Sequence, residues 1–133
     1  SLGNTAPYIY RAFIEAMCFG AKEIVERLKD EGVRIDTVLG VGGISKKSPF
    51  IMQTLANVLN MSIKIRDSDH TAALGSAILA SIAAGLYPDT LAAQERMLKP
   101  IVKIYYPEDE MVKYYKNRHG DYLRLGLFVE NMK

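Results

Sequence analysis

The sequence contains no tryptophan, one cysteine and two histidines among its 133 residues. Because Cys18 has no partner cysteine, an internal disulfide is excluded, and so few histidine and cysteine side chains argue against a structural zinc site. No apolar run approaches the ~20 residues that a membrane-spanning helix needs. The first helical pattern is not preceded by a basic leader and an apolar stretch. These features predict a protein of a reducing compartment, the cytoplasm.

The charge balance is close to neutral. Seventeen Lys and Arg face fifteen Asp and Glu, a net charge of +2 that gives no reason to expect nucleic acid or a membrane as partner. Hydrophobic residues make up 49% and charged residues 24%, as in ordinary globular proteins. We therefore expect residues 1–133 to form one folded domain.

The amino-terminal segment has the pattern of a long amphipathic helix. We expect Thr5 to cap its start and Gly32 to end it in a left-handed conformation. Ser1 stands where Met would begin a chain, and no strand precedes this helix. We therefore expect a piece of a longer protein, a helix that has lost the sheet it covers, and self-association into homo-oligomers through exposed apolar residues. The apolar stripe consists of Ile9, Phe13, Met17, Ile24 and Leu28.

A parallel βαβ unit is predicted next. Residues 37–41 form a β-branched apolar run typical of a strand that is covered on both faces. Gly42, Gly43, Ile44 and Ser45 follow as a loop, and a helix begins at Ser48-Pro49 and ends near Asn60. Residues 63–65 are predicted to form a second strand that is less buried than the first.

The remaining pattern adds helices and one more strand. A helix of small residues, among them Gly75, is predicted from Thr71 to Gly85, and its thin profile lets a helix, sheet or ligand approach closely. A short helix capped by Asp89 or Thr90 is predicted to run toward Leu98. A strand at 101–105 and a final helix from Pro107 complete the chain. The fold class is therefore α/β, with a short parallel βαβ core and several packed helices.

The glycine loop after the first strand is the candidate ligand site. Open α/β sheets bind ligands at the carboxyl ends of their strands, and glycine lets a ribose or phosphate lie against the main chain. A dinucleotide motif is a poor fit because the third glycine is missing after Gly40 and Gly42, and Asp67 follows the second strand. A Walker loop is excluded because no Gly-Lys-Ser/Thr occurs at the required spacing. The loop alone leaves a simple tight turn open.

An ordered set of motifs runs through residues 2–12 (LGNTAPYIYRA), 42–45 (GGIS) and 73–75 (ALG). Together they resemble the FGGY carbohydrate kinases, most closely their ribulokinase branch. Residues 2–12 (LGNTAPYIYRA), with Glu15, Ala16 and 19–21 (FGA), are similar to that family's signature helix. Residues 42–45 (GGIS), 52–53 (MQ), Ala56 and 58–59 (VL) resemble its adenosine segment, and 73–75 (ALG), 77–78 (AI) and 83–85 (AAG) its next helix. The matches keep order and spacing over about two-thirds of the chain. Asn57 and Ser76 depart from it, where the family commonly has Asp and Ala.

The resemblance implies half of an actin- and hexokinase-like (ribonuclease H-like) fold, here a partial carboxyl-terminal nucleotide-binding domain. The family transfers the γ-phosphoryl group of Mg-ATP to a sugar hydroxyl, which implies ATP and Mg²⁺ as cofactors and a ketopentose such as ribulose as substrate. The family's catalytic Asp lies upstream of this segment, so the chain alone is expected to be inactive. The residues that the resemblance places around the nucleotide are Gly42 and Gly43 against adenosine and phosphates, Ile44 and Ser45 beside adenine, Lys47 near the nucleotide, and Gly75 on the neighbouring helix.

Two other functions remain open at this point. A non-catalytic actin-like module would bind nucleotide or a partner helix without a sugar domain. A dinucleotide oxidoreductase half would bind NADH but not ATP. The remaining reactive side chains have structural explanations: a buried thiol for Cys18, turn and capping roles for His70, Asp67 and Asp69, and a position on the flank of the last helix for His119.

Overall fold

Six helices and three strands are found in residues 5–68 and 70–132, the part of the chain that the computed structural model describes. Every predicted helix and strand is present. The elements in chain order are α1 (Ala6–Asp30), β1 (Val38–Gly40), α2 (Gly43–Lys47), α3 (Pro49–Leu59), β2 (Ile63–Arg66), α4 (Thr71–Ala83), α5 (Thr90–Met97), β3 (Ile101–Tyr105) and α6 (Asp109–Glu130).

Helix ends follow local side-chain chemistry at several positions. The Ser48 hydroxyl accepts the Ile51 N–H at the start of α3, and the Asp89 carboxylate accepts the Ala92 N–H at the start of α5. Thr5 occupies the cap position of α1, but its side chain makes no capping hydrogen bond. Short polar side chains therefore define two of these boundaries, as the sequence predicts.

Left-handed residues end two helices at predicted positions. Gly32, just beyond α1, has a φ of 86°, and Asn60, at the end of α3, has a φ of 51°. The start of α6 differs slightly from the prediction. The helix begins at Asp109 with Glu108 at its cap position, two residues after Pro107.

The three strands form one mixed sheet in the order β1-β2-β3. β1 and β2 are parallel, with Val38 opposite Ile63, and α3 lies in the connection between them. β3 runs antiparallel to β2, with Tyr105 opposite Ile63. The predicted parallel βαβ unit is therefore confirmed, and β3 adds an antiparallel edge.

Helix α3 joins two buried clusters. One of its sides packs on the sheet, and the Val58 side contacts helices α1 and α6. This central position explains why α3 is strongly apolar. The cluster on the sheet comprises Met52, Ala56, Leu59, Ile63, Ile65 and Tyr105, and the cluster on the helices comprises Ile14, Cys18, Phe19, Val58 and Tyr115.

The sequence predicts that the first strand is more buried than the second, and this prediction is wrong. Leu39 of β1 is 47% exposed, whereas Ile63 of β2 is 0% exposed. The physical reason is position in the sheet, because β2 lies between two strands and β1 is an edge strand in the described chain. A β-branched run thus identified a strand but not how much of it is covered.

The predicted exposed apolar surface on the first helix is confirmed. Phe13 and Met17, one turn apart on α1, are 67% and 58% exposed, while Ile14 and Cys18 beside them are buried. The helix therefore uses one side to contact α3 and α6 and leaves a second apolar side uncovered.

Across residues 5–68 and 70–132, no helix combines the length and the apolar character required to cross a bilayer.

Candidate functional site

The segments that follow β1 and β2 leave the sheet at the same edge. The parallel register places Gly40 opposite Ile65, so residues 41–47 and 67–70 both start from the carboxyl ends of adjacent strands. A salt bridge joins the two segments, with Lys46 Nζ 2.5 Å from Asp67 Oδ1. Lys99 Nζ lies 3.9 Å from the other carboxylate oxygen of Asp67. Asp67 therefore links the glycine segment to the segment that leads into α4.

The sequence predicts an open loop through Ser45. The structure differs, because α2 already begins at Gly43. Gly42 precedes it with a φ of 79°, a conformation that side chains disfavour. The Ser45 hydroxyl donates to the Gly42 carbonyl at 2.8 Å, and the Ser48 N–H donates to the Ile44 carbonyl at 3.0 Å. These two hydrogen bonds close the segment into a short helical turn.

The paired glycines face open space. A Cβ atom built on Gly42 or Gly43 would meet no heavy atom within 4 Å, and the neighbouring Ile44 is 62% exposed. The main chain of this turn therefore has open space beside both glycines on that side. No other part of the described chain covers the position at which a Gly43 side chain would stand.

Ser45 and Lys47 differ in their exposure to solvent. Ser45 is buried and its hydroxyl holds the turn by bonding to Gly42, whereas Lys47 at the end of α2 is exposed. A role for Ser45 beside adenine stays a prediction. Lys47 has the exposure that a side chain reaching toward a phosphate requires.

Gly75 is exposed on α4, and a Cβ built there would also meet no heavy atom within 4 Å. A pocket of about 320 Å³ lies next to this part of the helix. Its lining residues come from the segment before α4, from α4 itself, and from the end of α5 and the segment after it: Ser68, His70, Ala73, Leu74, Ala77, Met97 and Lys99. That Gly75 and the glycine pair form two walls of one cleft stays a prediction.

Gly40 is an essential part of this edge that the sequence analysis missed. A Cβ at Gly40 would stand 2.6 Å from Ile65 Cδ1 and 3.2 Å from Ser45 Cβ. Its missing side chain therefore leaves room for the side chains of Ile65 and Ser45 beside β1. A glycine that ends an otherwise β-branched strand was the available signal, but the sequence does not say what approaches it.

A groove of about 570 Å³ lies elsewhere, between the first half of α1 and α6. Arg11, Glu15, Tyr114 and Arg118 contribute to its wall, and it contains none of the predicted nucleotide residues. Within it Arg11 Nε donates to Glu15 Oε1 at 2.7 Å, and this hydrogen bond raises the pKa of Arg11.

The same Glu15 carboxylate accepts from the Tyr115 hydroxyl at 3.3 Å. The pKa of Tyr115 is raised, first by burial and then by the negative charge of Glu15. Arg11 and Glu15 are both part of the signature helix of the resemblance, one turn apart. Their contacts with α6 hold that helix on α1.

The structural explanation for Cys18 is supported. Cys18 is buried, and burial, followed by the charge of Glu15, raises the pKa of its thiol to about 11. A thiol with so high a pKa is a poor nucleophile at neutral pH.

The prediction for His119 is wrong, because this side chain is buried between α6 and α1 and not on the helix flank. Asp67 pairs with Lys46, and a turn or capping role for it stays a prediction. His70 stands at the cap position of α4 without a side-chain capping hydrogen bond. Asp69 and the predicted match at residues 2–4 lie outside the described residues.

Comparison with known proteins agrees with the motifs. Residues 1–84 match the C-terminal domain of the FGGY family of carbohydrate kinases. A ribulokinase from Vibrio parahaemolyticus is 37% identical over 132 residues, which are 99% of this chain and 23% of that protein. The chain thus spans about a quarter of the length of the curated relatives it matches.

Two solved structures share the fold. A xylulose kinase from Rhodospirillum rubrum matches over 99% of this chain and 26% of its own, with a TM-score of 0.81 and 22% identity. A Plasmodium falciparum glycerol kinase with ADP matches over 93% of this chain and 25% of its own, with a TM-score of 0.71 and 20% identity. The predicted fold class, a partial actin- and hexokinase-like α/β domain, is confirmed. On the match over residues 1–84, the chain belongs to the FGGY family of carbohydrate kinases, as part of its C-terminal domain.

Proposed function

We propose that this chain is the nucleotide-binding carboxyl-terminal part of an ATP-dependent kinase that phosphorylates a ketopentose such as ribulose. The observation that carries the proposal is the uncovered pair Gly42 and Gly43 at the carboxyl end of a parallel strand, in a chain of the FGGY family. The nucleotide would lie on the main chain of this turn, and catalysis would need further parts of a longer protein.

The conformation of the turn suits the binding of a nucleotide against its main chain. Gly42 adopts a positive φ that turns the chain sharply out of β1, and Gly43 begins α2 without a side chain on the open side. The Lys46–Asp67 salt bridge holds the turn against the segment after β2. A preformed turn binds more tightly than a mobile one because less ordering occurs on binding.

The chemistry of phosphoryl transfer indicates which steps this chain and the rest of the protein would each support. The reaction depends on holding the two substrates in line and on stabilising the charge that develops on the transferred group, with Mg²⁺ on the phosphates. The exposed Lys47 ammonium is the residue in this turn suited to a phosphate oxygen. The catalytic aspartate and the sugar site are proposed to lie outside residues 1–133.

The sugar class is supported by similarity. The relative at 37% identity is called a ribulokinase, and a structural neighbour is called a xylulose kinase; ribulose and xylulose are both ketopentoses. The neighbour solved with ADP supports an adenine nucleotide. The cytoplasmic location stays a prediction from the sequence.

The test starts from the open reading frame that contains this chain. The encoded protein should consume Mg-ATP in the presence of ribulose faster than with glycerol or with no sugar, as ADP release in a coupled assay reports. Nucleotide binding without sugar-dependent turnover would support a non-catalytic actin-like module instead. Binding of NADH in the absence of ATP binding would contradict the kinase proposal altogether.

A further inference from the structure

Three side chains with metal-binding atoms meet between α1 and α6, outside the glycine turn. Glu23 and Glu26 project from α1, and His119 projects from α6. Their ligand atoms all lie within 4.8 Å of one another. None of the three belongs to the nucleotide residues discussed above.

The imidazole of His119 is held in a fixed orientation. The residue is 7% exposed, its ring centroid lies 5.6 Å from that of Phe19, and it stacks with Tyr122 at 6.3 Å. Nε2 lies 2.6 Å from Glu23 Oε1. The two packed rings limit the rotation of the imidazole, so Nε2 stays directed at the carboxylates without a cost in ordering when a ligand arrives.

Glu26 lies on the same face of α1 as Glu23, three residues further along. Its carboxylate is 3.4 Å from Lys22 Nζ, and the side chain is 49% exposed. Lys22 Nζ also donates to the Val58 carbonyl at 3.2 Å, so the ammonium has an anchor of its own on α3. Glu26 can therefore turn toward Nε2 without leaving the Lys22 ammonium unpaired.

We propose that Glu23, Glu26 and His119 form a binding site for a divalent transition-metal cation, with Zn²⁺ as the reference ion. One imidazole nitrogen and two carboxylates make a three-ligand set with room for water at the exposed Glu26 side. Nitrogen and oxygen sites of this kind bind Zn²⁺ more tightly than Mn²⁺, and imidazole disfavours Mg²⁺. The small number of histidines and cysteines argued against zinc, but here carboxylates supply two of the three ligands.

The protons balance in a simple way. A carboxylate only accepts hydrogen bonds, so Nε2 carries the hydrogen in its contact with Glu23. On binding, the cation takes the place of that hydrogen between the same two atoms. The Nε2 proton leaves to water, and the imidazole that ligates the ion carries its hydrogen on Nδ1, taken up from water where that nitrogen was bare. The bound ion would connect the carboxyl-terminal third of α1 to the middle of α6, in addition to the contact of Glu15 with Tyr115.

The experiment is calorimetric titration of the metal-free protein with Zn²⁺, comparing wild type with Glu26→Gln and Glu31→Gln. Glu31 is the matched control. It is an exposed carboxylate that pairs with Arg27 four residues before it, as Glu26 pairs with Lys22 four residues before it. Glu26→Gln leaves the Glu23–His119 contact in place, so the fold should persist.

We expect one Zn²⁺ per chain for wild type and Glu31→Gln. Glu26→Gln should weaken binding by at least about 10-fold, since even loss of an outer-shell partner usually costs that much. With Co²⁺ as probe, the visible absorption of a nitrogen- and oxygen-ligated ion should appear in wild type and fade in Glu26→Gln. The proposal is overturned if binding is not stoichiometric, if Glu26→Gln binds like wild type, or if Mg²⁺ binds equally well. These outcomes do not depend on nucleotide binding.

Discussion

The side-chain amide of Asn57 contacts Glu108 at two points. Asn57 Oδ1 accepts the Glu108 N–H at 2.9 Å, and Asn57 Nδ2 donates to a Glu108 carboxylate oxygen at 3.3 Å. Asn57 is buried on α3, and Glu108 stands at the cap position of α6. One of the two residues at which this chain departs from its resemblance to the family thus contacts the start of the last helix.

The first prediction concerns Asn57→Asp. A carboxylate at this position would still accept the Glu108 N–H but would face the Glu108 carboxylate at about the same distance. We expect a loss of about 1–3 kcal/mol in the free energy of unfolding at neutral pH, measured by urea denaturation. The exposed Asn117→Asp should change little, and Asn57→Asp combined with Glu108→Gln should recover part of the loss. An unchanged stability for Asn57→Asp alone would show that the second contact contributes nothing.

The second prediction separates two glycines of the same segment. Gly40→Ala places a Cβ against Ile65 and Ser45, so we expect it to lower the free energy of unfolding by about 1–3 kcal/mol. The alanine Cβ of Gly43→Ala would meet open space, and residue 43 is helical without a positive φ. We therefore expect its free energy of unfolding to stay the same or rise by about 0.4–1 kcal/mol. Equal effects of the two substitutions on denaturant midpoints would contradict the packing argument for Gly40.

The third prediction is the slow alkylation of Cys18. Only the thiolate reacts, and with a pKa of about 11 roughly a thousandth of the thiol is ionised at pH 8. Iodoacetamide should therefore modify the folded protein slowly and the urea-unfolded protein quickly, as mass spectrometry reports. Equal rates in the two states would contradict the buried, protonated thiol.

The same shift predicts a dependence of stability on pH. The folded pKa lies above the ordinary value of 9.0, so the folded state favours the protonated thiol. This contribution is complete below about pH 9 and is lost as the pH rises toward 11. The wild type should therefore lose more stability than Cys18→Ala over that interval, and parallel curves would show that the thiol does not contribute.

The fourth prediction concerns the uncovered side of α1. Phe13 and Met17 are adjacent on this helix and more than half exposed, so the chain should self-associate through them. Light scattering at high concentration should give a mass above 14.8 kDa for wild type and a lower mass for the double variant Phe13→Ser and Met17→Ser. A monomer at every concentration for wild type would contradict this expectation.

The sequence predicted those features that depend on neighbouring residues. The caps at Ser48 and Asp89, the left-handed Asn60, and the strand over Ile101–Tyr105 follow from local side-chain preferences. The helical turn α2 was missed because Gly42 and Gly43 suggest a loop, whereas hydrogen bonds from Ser45 and Ser48 close it.

Contacts between distant residues were not predictable. His119 and Glu23 are 96 positions apart, and Lys46 and Asp67 are 21 apart, so no spacing rule connects them. The relative burial of β1 and β2 depends on where β3 pairs, which strand patterns do not encode. For the nucleotide residues, the structure shows open space beside Gly42, Gly43 and Gly75, while their contact with a ligand stays a prediction.

The most direct measurement of the central claim is an NMR titration of the protein with Mg-ADP. Gly43→Val is the informative variant, because its Cβ enters open space on the side where the nucleotide is proposed to lie. Gly126→Val, at an exposed and equally open glycine of α6, is its control. We expect shifts at residues 42–47 for wild type and the control, and a loss of binding for Gly43→Val. Equal binding by all three proteins, or shifts confined to the groove between α1 and α6, would contradict the account.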